Sequence, residues 1–150
     1  MTKDSELMHI ILADDDEDDR NFFKQAIKEL DLNTKLTVFN TGDTLLDYLE
    51  SLDSELPHIL FLDLNMPCRI DNDCLKEIRN IANLKNLTVA IYSTSNSEKD
   101  IHNTFIGGAN VYIHKPSDFE VLKSVIREVL KMNWQFHSSG LNKETFLFQI

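Results

Sequence analysis

Asp14-Asp15, Asp63, Asn65, a hydroxyl at Ser93 or Thr94, and Lys115 are the residues whose types and order could do chemistry together. A carboxylate acts as a nucleophile toward a phosphoryl group only where nearby positive charge and donors offset the negative charge of the group it attacks. Lys115 offers an ammonium, Ser93 or Thr94 a hydroxyl, and the acidic pair a seat for a hard cation. Taken alone, Asp63 reads equally well as a cap on the turn after a strand. Its meaning depends on whether the fold gathers the others around it.

The elements that must position these residues are legible from hydrophobic period. Ile59-Leu60-Phe61-Leu62 runs straight into Asp63, and Pro67 closes the loop beyond Asn65 and Met66. So short an unbroken apolar run fits a strand buried on both faces. His9 to Ala13 is a second such run and ends in Asp14-Asp15. Phe22, Phe23, Ala26, Ile27 and Leu30 then recur at helical spacing, predicting a helix over 17–30. Acids in its first turn, Asp16 to Asp19, suit the helix dipole and capping. Asp14 and Asp15 have no such explanation.

Lys35 to Asn40 reads as a further strand, at an edge, followed by a short helix carrying Leu45, Leu46, Leu49 and Leu52. His58 to Leu62 is strand three, and Cys74, Leu75, Ile78 and Ile81 mark helix three. Thr88 to Tyr92 is strand four, and a hydroxyl-rich loop, Ser93 to Ser97, leads to a weak helix over 98–106 that ends at Gly107-Gly108. Asn110 to His114 is strand five, Lys115-Pro116 closes it, and helix five carries Phe119, Leu122, Val125, Ile126, Val129 and Leu130 on its apolar face. Five strands alternating with five helices predict an α/β fold: a doubly wound (βα)5 parallel sheet of flavodoxin-like type. In the order 2-1-3-4-5, strands one and three meet at the switch point, where such folds hold ligands. Asp14, Asp15 and Asp63 then converge. Like charges that close repel unless a cation joins them, and carboxylates with a carbonyl and waters are the donors that Mg2+ prefers.

Composition narrows the function classes. A formal net charge of −10 argues against nucleic acid or an anionic membrane as a direct partner. Cys68 and Cys74 are expected as reduced thiols in a cytoplasmic protein, and two cysteines with no neighbouring histidine make no zinc site. The five histidines, His9, His58, His102, His114 and His137, are scattered and suggest no metal centre. No stretch is long and apolar enough for a membrane span. There is no Gly-rich loop after the first strand to cradle a nucleotide.

The acidic pair after strand one, Asp63-Leu64-Asn65-Met66-Pro67 after strand three, the hydroxyl after strand four and Lys115-Pro116 after strand five resemble, in order, the response-regulator receiver domain of the chemotaxis type. The resemblance covers residues 9 to about 131. It implies that Asp63 is the phosphoacceptor. It implies that Asp15, Asp63 and the Asn65 backbone carbonyl bind Mg2+, with Asp14 acting through water. Lys115 would pair with the phosphoryl group, and the Lys115–Pro116 peptide would be cis. Ser93 falls at the switch hydroxyl, with Thr94 beside it, and Tyr112 fits the switch aromatic; Tyr112 reads equally as a strand residue facing a helix. Asp71 stands where the family usually has Gly, a substitution that costs conformational freedom in the loop Cys68 to Asn72.

The resemblance further implies a bacterial two-component signalling protein, cytoplasmic, that takes its phosphoryl group from a sensor histidine kinase or a histidine phosphotransfer protein. Residues 1–131 would form the receiver and residues 132–150 a C-terminal extension without a separate output domain. The extension, which carries Trp134, Phe136, Leu141, Phe146, Leu147, Phe148 and Ile150, packs on its own domain or meets a partner. Such tailed receivers resemble those paired with phytochrome-like kinases. Output would run through contact with a downstream protein, with a homodimer through the helix 4–strand 5–helix 5 face or the tail as a further expectation, and no direct contact with DNA or membrane. An aspartyl-phosphate hydrolase normally needs a second aspartate two residues after the nucleophile; here that residue is Asn65. The alternatives to a phosphoacceptor are thus a binding module that works without phosphorylation and, less favoured by Asn65, such a hydrolase.

Overall fold

Strands form where apolar residues run unbroken and helices where they recur every three or four positions. A computed structural model of the chain describes residues 7–51, 56–68, 73–136 and 147–148. In chain order these build β1 (Met8–Ala13), α1 (Glu17–Leu30), β2 (Thr34–Phe39), α2 (Gly42–Glu50), β3 (Ile59–Leu62), α3 (Cys74–Arg79), a 3-10 turn (Ala82–Leu84), β4 (Thr88–Ser93), α4 (Glu98–Ile106), β5 (Val111–His114), α5 (Phe119–Phe136) and β6 (Leu147–Phe148). The strands are all parallel in the order β2-β1-β3-β4-β5-β6, so the expected 2-1-3-4-5 sheet stands and gains a short sixth strand.

Side chains leave each strand on alternate faces, which divides the core in two. Ile11, Ala13, Leu60, Leu62, Val89, Ile91 and Tyr112 pack toward α2, α3 and α4. Ile10, Leu12, Ile59, Phe61, Ala90, Tyr92, Val111 and Ile113 pack toward α1 and α5. Phe23 of α1 sits edge-on to both Phe61 and Tyr92, with centroids 4.9 and 5.5 Å away. Burial of each such ring contributes on the order of 2–3 kcal/mol. By contrast α4 buries only Thr104 completely, with Ile101 and Phe105 packed part-way. It buries the fewest side chains of the five helices, consistent with its weak apolar pattern.

Boundaries shift by a residue or two for local reasons. β4 extends to Ser93 because Ser93 pairs with His114. α2 starts at Gly42 because Thr41 caps it, its Oγ accepting from Thr44 N at 3.1 Å. α5 continues to Phe136. Leu147 and Phe148 pair with Tyr112 and Ile113, so at that point the chain packs on its own sheet. Leu141, Phe146, Ile150, His137 and Asp71 lie outside the described residues, as do Leu52, Asn72 and the side chains of Trp134 and Phe136.

Two expectations are overturned. Cys68 and Cys74 are not reduced thiols but are joined in a disulfide, with Cα atoms 5.4 Å apart. The loop after Asp63 folds back against the start of α2 and brings the sulfurs together, a closeness that sequence spacing does not report. The Lys115–Pro116 peptide is trans, not cis. Trans is the favoured isomer at proline by about 0.5–1 kcal/mol, and the Lys115 ammonium reaches its carboxylates from it.

Candidate functional site

The site is built by hydrogen bonds that carry the sheet ladder one step past the strand ends. Asp14 N donates to Phe39 O at 3.0 Å, Asp63 N to Ala13 O at 2.9 Å, and Lys115 N to Ser93 O at 2.7 Å. These bonds set the functional residues side by side at the carboxyl edge. Asp16 caps α1 by accepting from Asp19 N at 2.9 Å. That turn also gives Asp14 Oδ1 a bond from Asp16 N at 2.9 Å, and Arg20 Nη1 holds the Asp14 carbonyl at 3.0 Å. Asn65 N donates to Asp63 Oδ1 at 3.1 Å, which fixes the acceptor carboxylate from its own loop.

Carboxylate oxygens of Asp14, Asp15 and Asp63 lie within 4.8 Å of one another. Asp14 and Asp63 are buried, while Asp15 is exposed at the rim. Lys115 Nζ stands 2.9 Å from Asp14, 2.8 Å from Asp19 and 3.9 Å from Asp63, over the Tyr92 ring at 5.2 Å from its centroid. Asp14 Oδ2 faces this ammonium off the hydrogen-bond direction and is otherwise a buried oxygen without a hydrogen-bond donor. Burial pushes the Asp63 carboxyl up, against the opposing pull of Lys115 and the Asn65 N–H; the Asp14 charge adds to the rise, and it reaches about 7. Burial alone would lower the Lys115 pKa, but the hydrogen bond to Asp19, the ion pair with Asp14 and the Asp63 charge outweigh it and hold the ammonium above the usual lysine value.

A donor set of three clustered carboxylates, one with an undonated buried oxygen, fits a divalent hard cation. Asp14, Asp15 and Asp63 are the residues that could hold it. On the other flank, Ser93 is fully buried and its Oγ accepts from Ser95 N at 3.0 Å. Thr94 is exposed, its carbonyl 3.1 Å from His114 Nε2. Of the two hydroxyls, only Ser93 is enclosed with the site. Tyr112 is buried on the α4 side and donates its hydroxyl to Ser95 O at 2.7 Å. Ser95 Oγ donates to Asp100 Oδ2 at 2.6 Å, tying the β4–α4 loop to α4.

The sequence points to Asp14, Asp15, Asp63, Asn65, Ser93 or Thr94, and Lys115 at this edge; the structure brings Asp14, Asp15, Asp63 and Lys115 together, bonds Asn65 N to Asp63, and sets the Ser93 backbone beside Lys115. Asp19 and Tyr92 were missed. Asp19 was read only as a first-turn helix acid, yet three residues past the Asp16 cap it projects to the strand ends. Tyr92 was read only as strand. The alternation that sends Ala90 toward α1 and α5 sends Tyr92 there too, beneath Lys115, and was the signal available.

Parallel order 2-1-3-4-5 with five surrounding helices and an acidic carboxyl edge define a flavodoxin-like receiver fold. Residues 10–127 match the response regulator receiver domain family, and the chain belongs to it as a response regulator receiver of the two-component type. It is similar to the probable methanogenesis regulatory protein FilR2 of Methanothrix harundinacea, 28% identical over 123 residues that cover 80% of this chain and 79% of that protein. The chemotaxis protein CheY of Pseudomonas aeruginosa is 28% identical over 124 residues, covering 83% and 97%. The crystal structure of response regulator RPA3017, in red light signalling of R. palustris, matches with a TM-score of 0.74 at 25% identity, over 91% of this chain and 99% of that one.

Proposed function

We propose that Asp63 is the phosphoacceptor of a cytoplasmic phosphorelay, supplied by a sensor histidine kinase or a histidine phosphotransfer protein. The observation that carries this is Asp63 itself: a buried carboxylate clustered with Asp14 and Asp15, with the Lys115 ammonium 3.9 Å away. Asp63 attacks phosphorus, the phosphoryl bond to the donor histidine breaks, and the histidine leaves with the electron pair. Asp15, Asp63 and the Asn65 carbonyl, with Asp14 through water, would hold Mg2+, which would supply charge to offset the phosphoryl oxygens. Lys115 pairs with a second oxygen of the group. Ser93 lies on the enclosed flank, where its hydroxyl can turn to the third.

Output follows from the loop. Ser93 gives up its bond from Ser95 N when it turns, and Ser95 is bonded to Tyr112 and Asp100. The shift reaches α4, which buries the fewest side chains of the helices, and reshapes the α4–β5–α5 face for a downstream protein or a second copy of the chain. No helix among the described residues is long and apolar enough to cross a membrane. The likeness to RPA3017, a regulator in red light signalling, supports a light-responsive kinase as the donor. The acidic charge supports a protein target over DNA.

Incubation with Mg2+ and acetyl phosphate, followed by intact mass, tests the reading. The expected result is one hydroxylamine-labile phosphoryl group, absent in Asp63→Asn. No gain with acetyl phosphate or with a histidine kinase would overturn phosphorylation and leave a binding module; fast turnover of several phosphate esters would indicate a hydrolase.

A further inference from the structure

The carboxylate site leaves one reactive pair unused. The Cys68–Cys74 disulfide closes the loop that leads away from Asp63, Asn65 and Pro67. Both cysteines are buried, yet each borders an opening. Cys68 lines a cavity of about 360 Å3 together with Asp15, Thr41 and Asp43. Cys74 lines one of about 560 Å3 together with Asp63, Lys76 and Arg79. The bond therefore sits between two cavities, each walled by a carboxylate of the site.

The disulfide is also wedged against α2. A Cβ placed on Gly42 would lie 2.5 Å from Pro67 O, 2.6 Å from Cys68 Sγ and 2.7 Å from Cys74 Sγ. Only glycine leaves room for the bonded sulfurs there. Two separate thiols need about 1.5 Å more between their sulfurs than a disulfide does. With α2 in the way on one side, that separation displaces either the segment of Pro67 and Cys68 or the start of α3. The first carries the loop of Asn65; the second walls the cavity of Asp63. A core as full as this one does not depend on so short a covalent loop, and disulfides of cytosolic proteins are mostly transient and redox-responsive.

We propose that Cys68 and Cys74 form a thiol–disulfide exchange site for a small thiol of the glutathione class, and that its redox state sets how fast Asp63 takes up a phosphoryl group. The proposal rests on the reading of Asp63 as phosphoacceptor. The Cys74 side is the approach that carries cations, Lys76 and Arg79 set among Asp63, Asp73 and Asp100, whereas the other side offers only the carboxylates Asp15 and Asp43. The thiolate attacks Cys74 Sγ, the S–S bond breaks, and Cys68 leaves as a thiolate that takes a proton. A second thiolate attacks the mixed disulfide. Cys74 is released as a thiolate and protonated, and two molecules of thiol have become one disulfide. Oxidised glutathione reverses the sequence. The clasped form holds the Asn65 loop in place for cation and phosphoryl group, and the open form loosens it.

The experiment uses the full chain, native, equilibrated with reduced or with oxidised glutathione, and counts free thiols by alkylation and mass. Each form is then given Mg2+ and acetyl phosphate, and Mg2+ binding is measured separately by calorimetry. Expected are two thiols in the reduced form, phosphorylation about fivefold or more slower than in the oxidised form, and weaker Mg2+ binding. The Cys68→Ser/Cys74→Ser variant should hold the reduced rate in both buffers. A disulfide that yields only after unfolding, equal rates and Mg2+ affinities in the two forms, or a redox effect that persists without the cysteines would each overturn the proposal. If neither form is phosphorylated while their Mg2+ affinities still differ, the phosphoacceptor reading fails and the loop coupling stands.

Discussion

Lys115 is paired to Asp19 at 2.8 Å, more than an ångström closer than it stands to Asp63. The ammonium proposed to pair with a phosphoryl group on Asp63 is thus already held by Asp19, which is not the proposed acceptor. Asp19 is partly exposed, so this pair is modest in energy, but it sets where the charge rests. Asp19 is a positioning residue for Lys115.

Asp19→Asn keeps the shape and removes the competing charge. Affinity for beryllium trifluoride, a phosphoryl mimic, should rise about three- to tenfold, a gain of about 0.7–1.4 kcal/mol. Asp19→Glu should bind as the natural chain does. In a Lys115→Met background the Asp19→Asn gain should vanish. A gain that survives without Lys115 would show that Asp19 acts by another route.

Asp63 titrates near 7 in the folded chain against an ordinary value of 3.8. Between these the folded state holds a proton that the unfolded state has released, so stability falls as pH rises from about 4 to 7. Asp63→Asn has no such proton. It should show a flatter pH profile without metal and exceed the natural chain by about 1–2 kcal/mol at pH 7.5, several degrees in Tm. Urea unfolding at several pH values measures the difference.

A cation bound by Asp14, Asp15 and Asp63 requires Asp63 ionised. Its binding should release a proton below pH 7 and weaken up to tenfold for each further pH unit of acidification, until the other carboxylates titrate. Calorimetry in buffers of different ionisation enthalpy counts that proton. Uptake of Mg2+ with equal affinity at pH 5.5 and 7.5 would place the cation away from Asp63.

Tyr112→Phe removes the donor that holds Ser95 O at 2.7 Å. The half-buried carbonyl loses this donor, and stability should fall by about 1 kcal/mol. Hydrogen exchange should quicken across the Ser95 to Ser97 loop and the first turn of α4, with β1 and β3 unchanged.

Arg79 braces the opposite end of α4. Its Nη2 donates to Gly108 O at 2.7 Å and Asn110 Oδ1 at 2.9 Å, and its Nη1 to Leu84 O at 3.0 Å. Gly108 turns there with φ of +101°, a conformation that suits glycine. Arg79→Lys cannot reproduce the planar fork, and should lower stability by about 1–2 kcal/mol while leaving the Asp63 site able to bind Mg2+.

The sequence by itself determined the ladder of elements and the residues at the carboxyl edge. Both follow from local rules: apolar period, turn chemistry, and the position of Asp14, Asp63, Ser93 and Lys115 just past buried runs. Parallel pairing then carries every strand end to one side, so the candidate site was legible before any contact was. Contacts between residues far apart in the chain were decided only by the tertiary structure. Asp19 reaches Lys115 because α1 packs beside α5 on the face that carries Phe61 and Tyr92, a relation that a first-turn acid does not announce. Strand alternation puts Tyr92 on the α1 and α5 face, and only the packing sets the Lys115 ammonium over its ring. Cys68 and Cys74 are bonded because the β3–α3 loop folds onto Gly42, and Lys115–Pro116 is trans because the preference between isomers is small and decided by surroundings. Period and spacing fix what is near in sequence, whereas the partner of a charge or a sulfur is fixed by packing, which no single stretch contains.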